Sequence, residues 1–370
     1  MKITLLVDTF NSLSQAIYTA LKDLGYRLDI VYAINKEQTI EELNAFYPDI
    51  ILSPYLTKFI PKEIFNTYPT FVLHPGVRGD RGSYSLEYAL ISHKEWGIVW
   101  LRANELFDGG DIYASSNFAV RDVKKSSLYR KEVKESALNS LANLLVNIET
   151  DNKEKQLLNP LHKAILPKDF TIDWSRDKTA EIIKKINLFD SEPGLIDEIL
   201  ALKCHLFGAW EEEKLKGKPK EVLAKRDGAI CLGTIDGAVW ISHLKEPNCF
   251  KLPATYVLKE RLKGVKEQRL PLIFDKSYQT FYEISCDIKD YIGYLHFNFY
   301  NGAINIAQAI RLKYAFGYIK EQVDVVVLMG GEQFFSNGID LNTLEDSKKQ
   351  GEDGWANINA INDLISSILY

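Results

Sequence analysis

Residues Phe71–Ser85 read FVLHPGVRGDRGSYS: an apolar run to Leu73, then His74, then Pro75, Gly76, Gly79 and Gly82. Proline and glycine at this density end a strand rather than continue it. In an open parallel sheet the carboxyl ends of the strands are where ligands bind. A histidine placed there can move a proton near neutral pH. It can equally be a structural residue that closes the strand.

Around this segment, strands at Lys2–Val7, Leu28–Tyr32, Asp49–Leu52 and Thr70–Leu73 alternate with helices opening near Ser12 and at Lys36–Phe46. That alternation predicts an α/β domain built in βαβ units. A helix around Leu86–Ser92, β runs at Gly97–Arg102 and Ile112–Val120, and a long helix at Ser127–Ile148 complete a domain spanning 1–150. Glu149–Pro160 is polar, closes with proline and reads as a linker. A β-rich domain with preceding helices follows over 161–270. Its helices are expected at Thr179–Asn187 and Glu198–Cys204, and its strands at Lys220–Ala224, Ala229–Thr234 and Ala238–His243, with Asp-Gly turns at 227–228 and 236–237. A third unit, 277–370, holds strands Phe281–Cys286, Ile292–Phe297 and Val323–Met329 and helices Ala303–Ile319 and Ala356–Leu369. The charged stretch Glu345–Asp353 reads as a solvated loop.

The chain has 370 residues, 46% hydrophobic and 26% charged, which excludes disorder as its main state. Its net charge of −5 supplies no global field for nucleic acid. Cys204, Cys231, Cys249 and Cys286 match neither a CxxC metal site nor a dense disulfide framework, so reduced thiols and no metal are expected. Asp8 interrupts the only N-terminal apolar run, and no stretch has the 18 apolar residues of a membrane span. A cytoplasmic location without membrane partners is therefore expected.

A second segment, NELFDGGDIYAS (Asn104–Ser115), puts Asp108 before two glycines between two β runs. A carboxylate beside glycines can approach a ligand closely, although Asp-Gly is also ordinary turn chemistry. FNSLSQ (Phe10–Gln15) opens the first helix, whose N-terminus can hold an anion or be capped by Asn11 or Ser12. Arg121, Lys124, Lys125, Arg130, Lys131 and Lys134 form a basic stretch suited to phosphates or to a solvated helix face.

HPG at 74–76, Arg81-Gly82 and DGGDI at 108–112 together resemble the signature of folate-dependent formyltransferases. PKDFTIDW (Pro167–Trp174) and Gly217–Ile241 resemble the C-terminal β-barrel module of the methionyl-tRNA members of that family. The resemblance implies a Rossmann-like formyltransferase domain and a small β-barrel-type domain. It makes 10-formyltetrahydrofolate the donor, with His74 and Asp108 bracketing the formyl carbon. It also implies folate contacts from Ser53, Tyr55, Leu56, Arg81, Gly82 and Phe107. The family's asparagine two residues before the histidine falls on Val72, so its usual oxyanion donor is absent; loss of such a donor costs about 10²- to 10³-fold in rate.

VVVLMGGEQFFSNGIDLNTLE (Val325–Glu345) resembles the crotonase signature, a strand followed by F-x-x-G-x-D. That resemblance implies an incomplete crotonase-like α/β domain and a coenzyme A site at Asn337, Gly338 and Ile339, with the Ile339 N–H donated to a thioester oxygen. Further crotonase elements, including a second N–H donor, are then expected beyond Tyr370. The order of the two modules, with KSSLYR, LHFNFYNGA and WANINAINDL, resembles a family of hydrogenase maturation factors. It implies formyl transfer to coenzyme A, then carbon monoxide release for [NiFe] hydrogenase, with small-molecule substrates and maturation proteins as partners. Two alternatives stay open: a methionyl-tRNA formyltransferase-like enzyme using Lys214, Lys216, Lys218, Lys220, Lys225 and Arg226 on phosphates, or a non-catalytic folate- or CoA-binding scaffold.

Overall fold

The computed structural model describes residues 1–92 and 95–370. They form two compact units, Met1–Ile165 and Leu166–Tyr370.

In the first unit β1 (Lys2–Val7), α1 (Ser12–Asp23), β2 (Arg27–Tyr32), α2 (Lys36–Phe46), β3 (Ile50–Ser53), α3 (Lys62–Thr67) and β4 (Thr70–His74) build the parallel part. Then come α4 (Ser85–Ser92), β5 (Glu95–Arg102), β6 (Ile112–Ala119), α5 (Lys125–Leu128), a π turn at Tyr129–Val133, and α6 (Lys134–Thr150). The sheet order is β2-β1-β3-β4-β5-β6. β1 to β4 pair in parallel, whereas β5 and β6 join antiparallel. β1 is buried at every position from Ile3 to Val7, as a strand covered on both faces must be.

The long helix expected from Ser127 is broken by the π turn, and Lys62–Thr67 forms a helix that the periodicity does not reveal. The supposed linker packs on the first unit: Glu154 bridges Ile112, and Asp151–Ile165 belongs to that unit.

In the second unit α7 (Thr179–Phe189) precedes β7 (Leu195–Ile199), β8 (Leu202–Glu212), β9 (Val222–Arg226), β10 (Ala229–Gly233), β11 (Ala238–Lys245), β12 (Leu252–Pro253) and α8 (Ala254–Leu258). The sheet runs β7-β8-β11-β10-β9, with β12 on β11. Glu198–Cys204, expected as helix, is strand, tight turn and strand. Leu200 and Ala201 both take left-handed backbone there, and pairing of β7 with β8 overrides their helical preference. Beyond lie β13 (Ile284–Lys289), β14 (Ile292–Phe297), α9 (Ile306–Lys320), β15 (Val325–Gly330), α10 (Leu341–Glu345) and α11 (Gln350–Leu369). β13 pairs antiparallel with β14, and β14 parallel with β15. The expected loop Glu345–Asp353 is partly helical, because α11 starts at Gln350. Cys204, Cys231 and Cys286 are buried and all four cysteines are free; burial pushes the Cys204 thiol up to about 12.

The hairpin between β5 and β6 depends on Gly110. A Cβ there would lie 1.7 Å from the Arg102 carbonyl oxygen, while the Arg102 N–H donates to the Asp111 oxygen at 2.9 Å. Backbone atoms cannot yield as a side chain can, so we expect Gly110→Ala to destabilise the protein by about 1–3 kcal/mol. Urea denaturation checks it; an unchanged midpoint contradicts the reading.

Candidate active site

His74 is the last residue of β4 and is 5% exposed. Its Nε2 lies 2.6 Å from Asp80 Oδ2, and its Nδ1 faces Asp108 Oδ2 at 3.5 Å. The second distance is an electrostatic contact rather than a hydrogen bond. Gly76 permits the first, since a Cβ there would fall 2.1 Å from Asp80 Oδ2 and 2.5 Å from His74 Nε2.

Asp108 comes from the β5–β6 loop with φ of 48°. Its Oδ2 accepts the Gly82 N–H at 2.9 Å, and its carbonyl accepts from Gln156 Nε2 at 3.2 Å. Gln156 Oε1 also accepts the Gly79 N–H at 2.8 Å, so one side chain ties the loop after His74 to the loop holding Asp108. Arg81 makes a second tie. Its Nε and Nη2 donate to the Phe107 carbonyl at 3.0 and 2.8 Å, and its Nη1 to the Asn159 carbonyl at 2.9 Å.

Two cavities meet here. One, of about 350 Å³, is lined by residues including Tyr55, Leu56, Val72, His74, Gly82, Glu87, Phe107, Asp108, Lys125 and Tyr129. The other, of about 70 Å³, shares Leu56, Thr57, Val72, Phe107 and Asp108 with it and extends along Leu101–Asn104. The Tyr129 hydroxyl accepts from Asn11 Nδ2 at 3.0 Å; burial raises its pKa, so the phenol keeps its proton. Lys125 Nζ donates to Glu87 Oε1 at 2.8 Å at the rim.

Of the residues named from sequence, Tyr55, Leu56, Gly82 and Phe107 line the cavity with His74 and Asp108. Ser53 does not: it is fully buried and its hydroxyl donates to the Leu6 carbonyl at 2.8 Å. Arg81 spends its guanidinium on backbone carbonyls and clamps the rim. Asn11 accepts the Leu13 and Ser14 N–H groups, so it caps α1. Arg121 pairs with Glu132. In the second unit Asn337 is anchored by N–H to the Gly302 carbonyl and Nδ2 to the Asn301 carbonyl, both at 2.7 Å. Gly338 has φ of 78°, and Ile339 bridges Ile304.

Asp80 and His162 escaped the sequence reading. Asp80 stands in the quoted loop, and its spacing of six from His74 is a signal available after the fact; His162 lies beyond a supposed linker and gives none. Burial opposes ionisation of Asp80, but hydrogen bonds from His74, Ser85 and His162 outweigh it and hold the carboxyl below the ordinary carboxylate range. Among the described residues no group of three His, Cys, Asp or Glu is placed to hold a metal ion, and no helix is long and apolar enough to cross a membrane.

A model for the C-terminal domain of formyl transferases matches residues 164–261. The whole chain is 33% identical to the hydrogenase maturation factor HoxX of Bradyrhizobium diazoefficiens, covering 66% of that protein. HypX from Aquifex aeolicus, solved in complex with tetrahydrofolic acid, matches all of this chain at 39% identity and TM-score 0.96, with 66% of its own length covered. A variant of that protein gives 38% identity and TM-score 0.96, with 69% covered. Methionyl-tRNA formyltransferase of Pseudothermotoga lettingae is 25% identical over 68% of this chain and 85% of its own. The chain therefore spans about two thirds of the length of its HypX and HoxX relatives.

A Rossmann-like sheet carrying a histidine at the end of a strand and an aspartate on a glycine-rich loop, followed by this C-terminal module, defines a protein of the formyltransferase type. Within that class the chain belongs to the HypX/HoxX family of hydrogenase maturation factors.

The depressed carboxyl of Asp80 has a definite sign in stability. Its contribution is fully present above the unfolded-state value of about 3.9 and is lost as pH falls through the lower folded value. We expect Asp80→Asn to be less stable than wild type at neutral pH, with the gap narrowing only below about pH 4. Denaturation across pH checks it; a gap independent of pH down to 2 contradicts it.

Proposed function

We propose that the first unit transfers the formyl group of 10-formyltetrahydrofolate to the thiol of coenzyme A. The carrying observation is that His74, at the end of β4, and Asp108, on the β5–β6 loop, face each other at 3.5 Å on the wall of the larger cavity, with Asp108 also lining the smaller one. The HypX relative solved with tetrahydrofolic acid supports the donor.

The coenzyme A sulfur attacks the formyl carbon as a thiolate and the bond from that carbon to folate N10 breaks. The products are formyl-CoA and tetrahydrofolate. His74 takes the thiol proton at Nδ1, and Asp108, held by Gly82, orients the adduct and assists protonation of N10. Tyr55, Leu56, Gly82 and Phe107 line the folate and acceptor space. Val72 contributes an aliphatic wall where the formyltransferase pattern has an amide.

The second unit then serves the thioester. In this reading the Ile339 N–H is the oxyanion donor of a crotonase-like site, with Asn337 and Gly338 against coenzyme A, and the backbone bridge of Ile339 to Ile304 supports it. There the formyl thioester yields carbon monoxide and free thiol, supplied in the cytoplasm to maturation proteins that assemble [NiFe] hydrogenase. Transfer to tRNA is less well supported. Arg226 is buried, donating to the Gln268 and Phe281 carbonyls, and Lys220 pairs with Asp197, so two of the six cations expected on phosphate are committed within the protein.

Single-turnover loss of formyl from 10-formyltetrahydrofolate, with coenzyme A, with tRNA and with neither, tests the assignment. Coenzyme A should accelerate it and a formyl thioester should accumulate. His74→Ala should abolish transfer, and Asp108→Asn, which keeps the turn, should lower it by about 10²- to 10⁴-fold at unchanged melting temperature. Wild-type rates in both variants would sink the roles, and acceleration by tRNA alone would move the acceptor.

A further inference from the structure

Asp80 is the hub of a ring of donors, and apart from His74 no member of that ring has a role in the transfer reading. Its side chain is 2% exposed. Oδ2 meets His74 Nε2 at 2.6 Å and the Ser85 hydroxyl at 2.6 Å, while Oδ1 meets His162 Nε2. His162 is itself fixed. Its ring stacks on Tyr88 with centroids 3.9 Å apart and planes 15° apart, and its backbone N–H donates to the Arg81 carbonyl at 2.9 Å. The Tyr88 hydroxyl in turn donates to the Lys163 carbonyl at 3.2 Å.

An ionised carboxylate only accepts hydrogen bonds, so the hydrogen between Asp80 and His74 belongs to Nε2. The other nitrogen, Nδ1, is the one that faces Asp108. We propose that Asp80 and His162 are positioning residues that confine proton exchange at His74 to Nδ1. His162 does this through Asp80: by donating to Oδ1 it stops the carboxylate from turning away and keeps Oδ2 aimed at Nε2. Ser85, whose hydroxyl also lies 2.7 Å from the Pro75 carbonyl, restrains the same oxygen from the other side. The hydrogen-bonded partners hold Asp80 ionised despite its burial. The segment 151–165 thereby enters the reaction without touching substrate, by setting which nitrogen of His74 is open. The structural part stands on the hydrogen-bond geometry around an ionised Asp80; its kinetic consequence rests on the transfer reading above.

The test labels the imidazole nitrogens of the full chain with ¹⁵N and reads the tautomer of His74 in the ligand-free protein. The chain has six histidines, and the resonance missing from His74→Ala assigns the one in question. Wild type should carry hydrogen on Nε2. Asp80→Asn, whose amide can donate, should populate the Nδ1–H form; His162→Ala should do so in part, and His162→Gln, which retains a donor, should restore wild type. In single-turnover formyl loss, His162→Ala should lower the maximal rate by about tenfold to a hundredfold at constant half-saturation, with His162→Gln recovering most of it. The proposal is overturned if wild-type His74 carries its hydrogen on Nδ1 alone, or if Asp80→Asn and His162→Ala leave the tautomer unchanged. Should His162→Ala fail to fold, His162→Gln and Asp80→Asn decide the matter by the same spectrum. Absence of formyl loss in wild type would overturn the transfer reading alone, and the tautomer would still settle this one.

Discussion

A single buried carboxylate dictates the arrangement of the first unit's reactive end. Moving an ion of this size out of water costs several kcal/mol even after relaxation, and removing one partner of such a charge leaves it uncompensated. Asp80 is tolerated because three donors reach it, and those donors come from β4, from the start of α4 and from the far segment at His162. Gly76 leaves room for the carboxylate, and the Pro75 carbonyl accepts from Trp96 Nε1 at 3.0 Å. The loop after His74 is thus held in part by the segment 151–165, through Gln156 on Gly79 and His162 on Asp80 and Arg81.

The elements with strong local signals were legible before any coordinates. Lys2–Val7, Lys36–Phe46 and Ile292–Phe297 have the bounds their apolar patterns indicate, because strand and helix periods differ clearly there. Leu200-Ala201 misled, since both residues favour helix in isolation and only the pairing of β7 with β8 places them in a left-handed turn. In the candidate site, glycine punctuation betrayed His74 and Asp108, because close backbone approach leaves a mark in sequence. Ser53, named with the folate contacts, is fully buried within the sheet, its hydroxyl donating to the Leu6 carbonyl of the neighbouring strand. His162 could not be found, because a polar segment that binds back onto its own domain has the composition of one that does not.

The meeting of His74 with Asp108 is not given by the sheet. β5 runs antiparallel to β4, so Val99 lies opposite His74 and Arg102 lies opposite Phe71. The loop that follows Arg102 thus leaves the sheet three residues from His74, about 10 Å away at a strand's rise per residue. Asp108 reaches the histidine only because the loop folds back along β4. The attachments that hold it there are the Arg81 guanidinium on the Phe107 carbonyl, the Gly82 N–H on the carboxylate, and Gln156 on the Asp108 carbonyl. Arg81 and Gly82 immediately follow Asp80 in sequence. The loop that carries the buried charge is therefore the loop that recruits Asp108, and Gln156 and His162 from one returning segment hold it at Gly79, Asp80 and Arg81. The geometry of the candidate site is consequently tied to the satisfaction of Asp80 through the two residues that follow it, Arg81 and Gly82, with Gln156 as an independent brace.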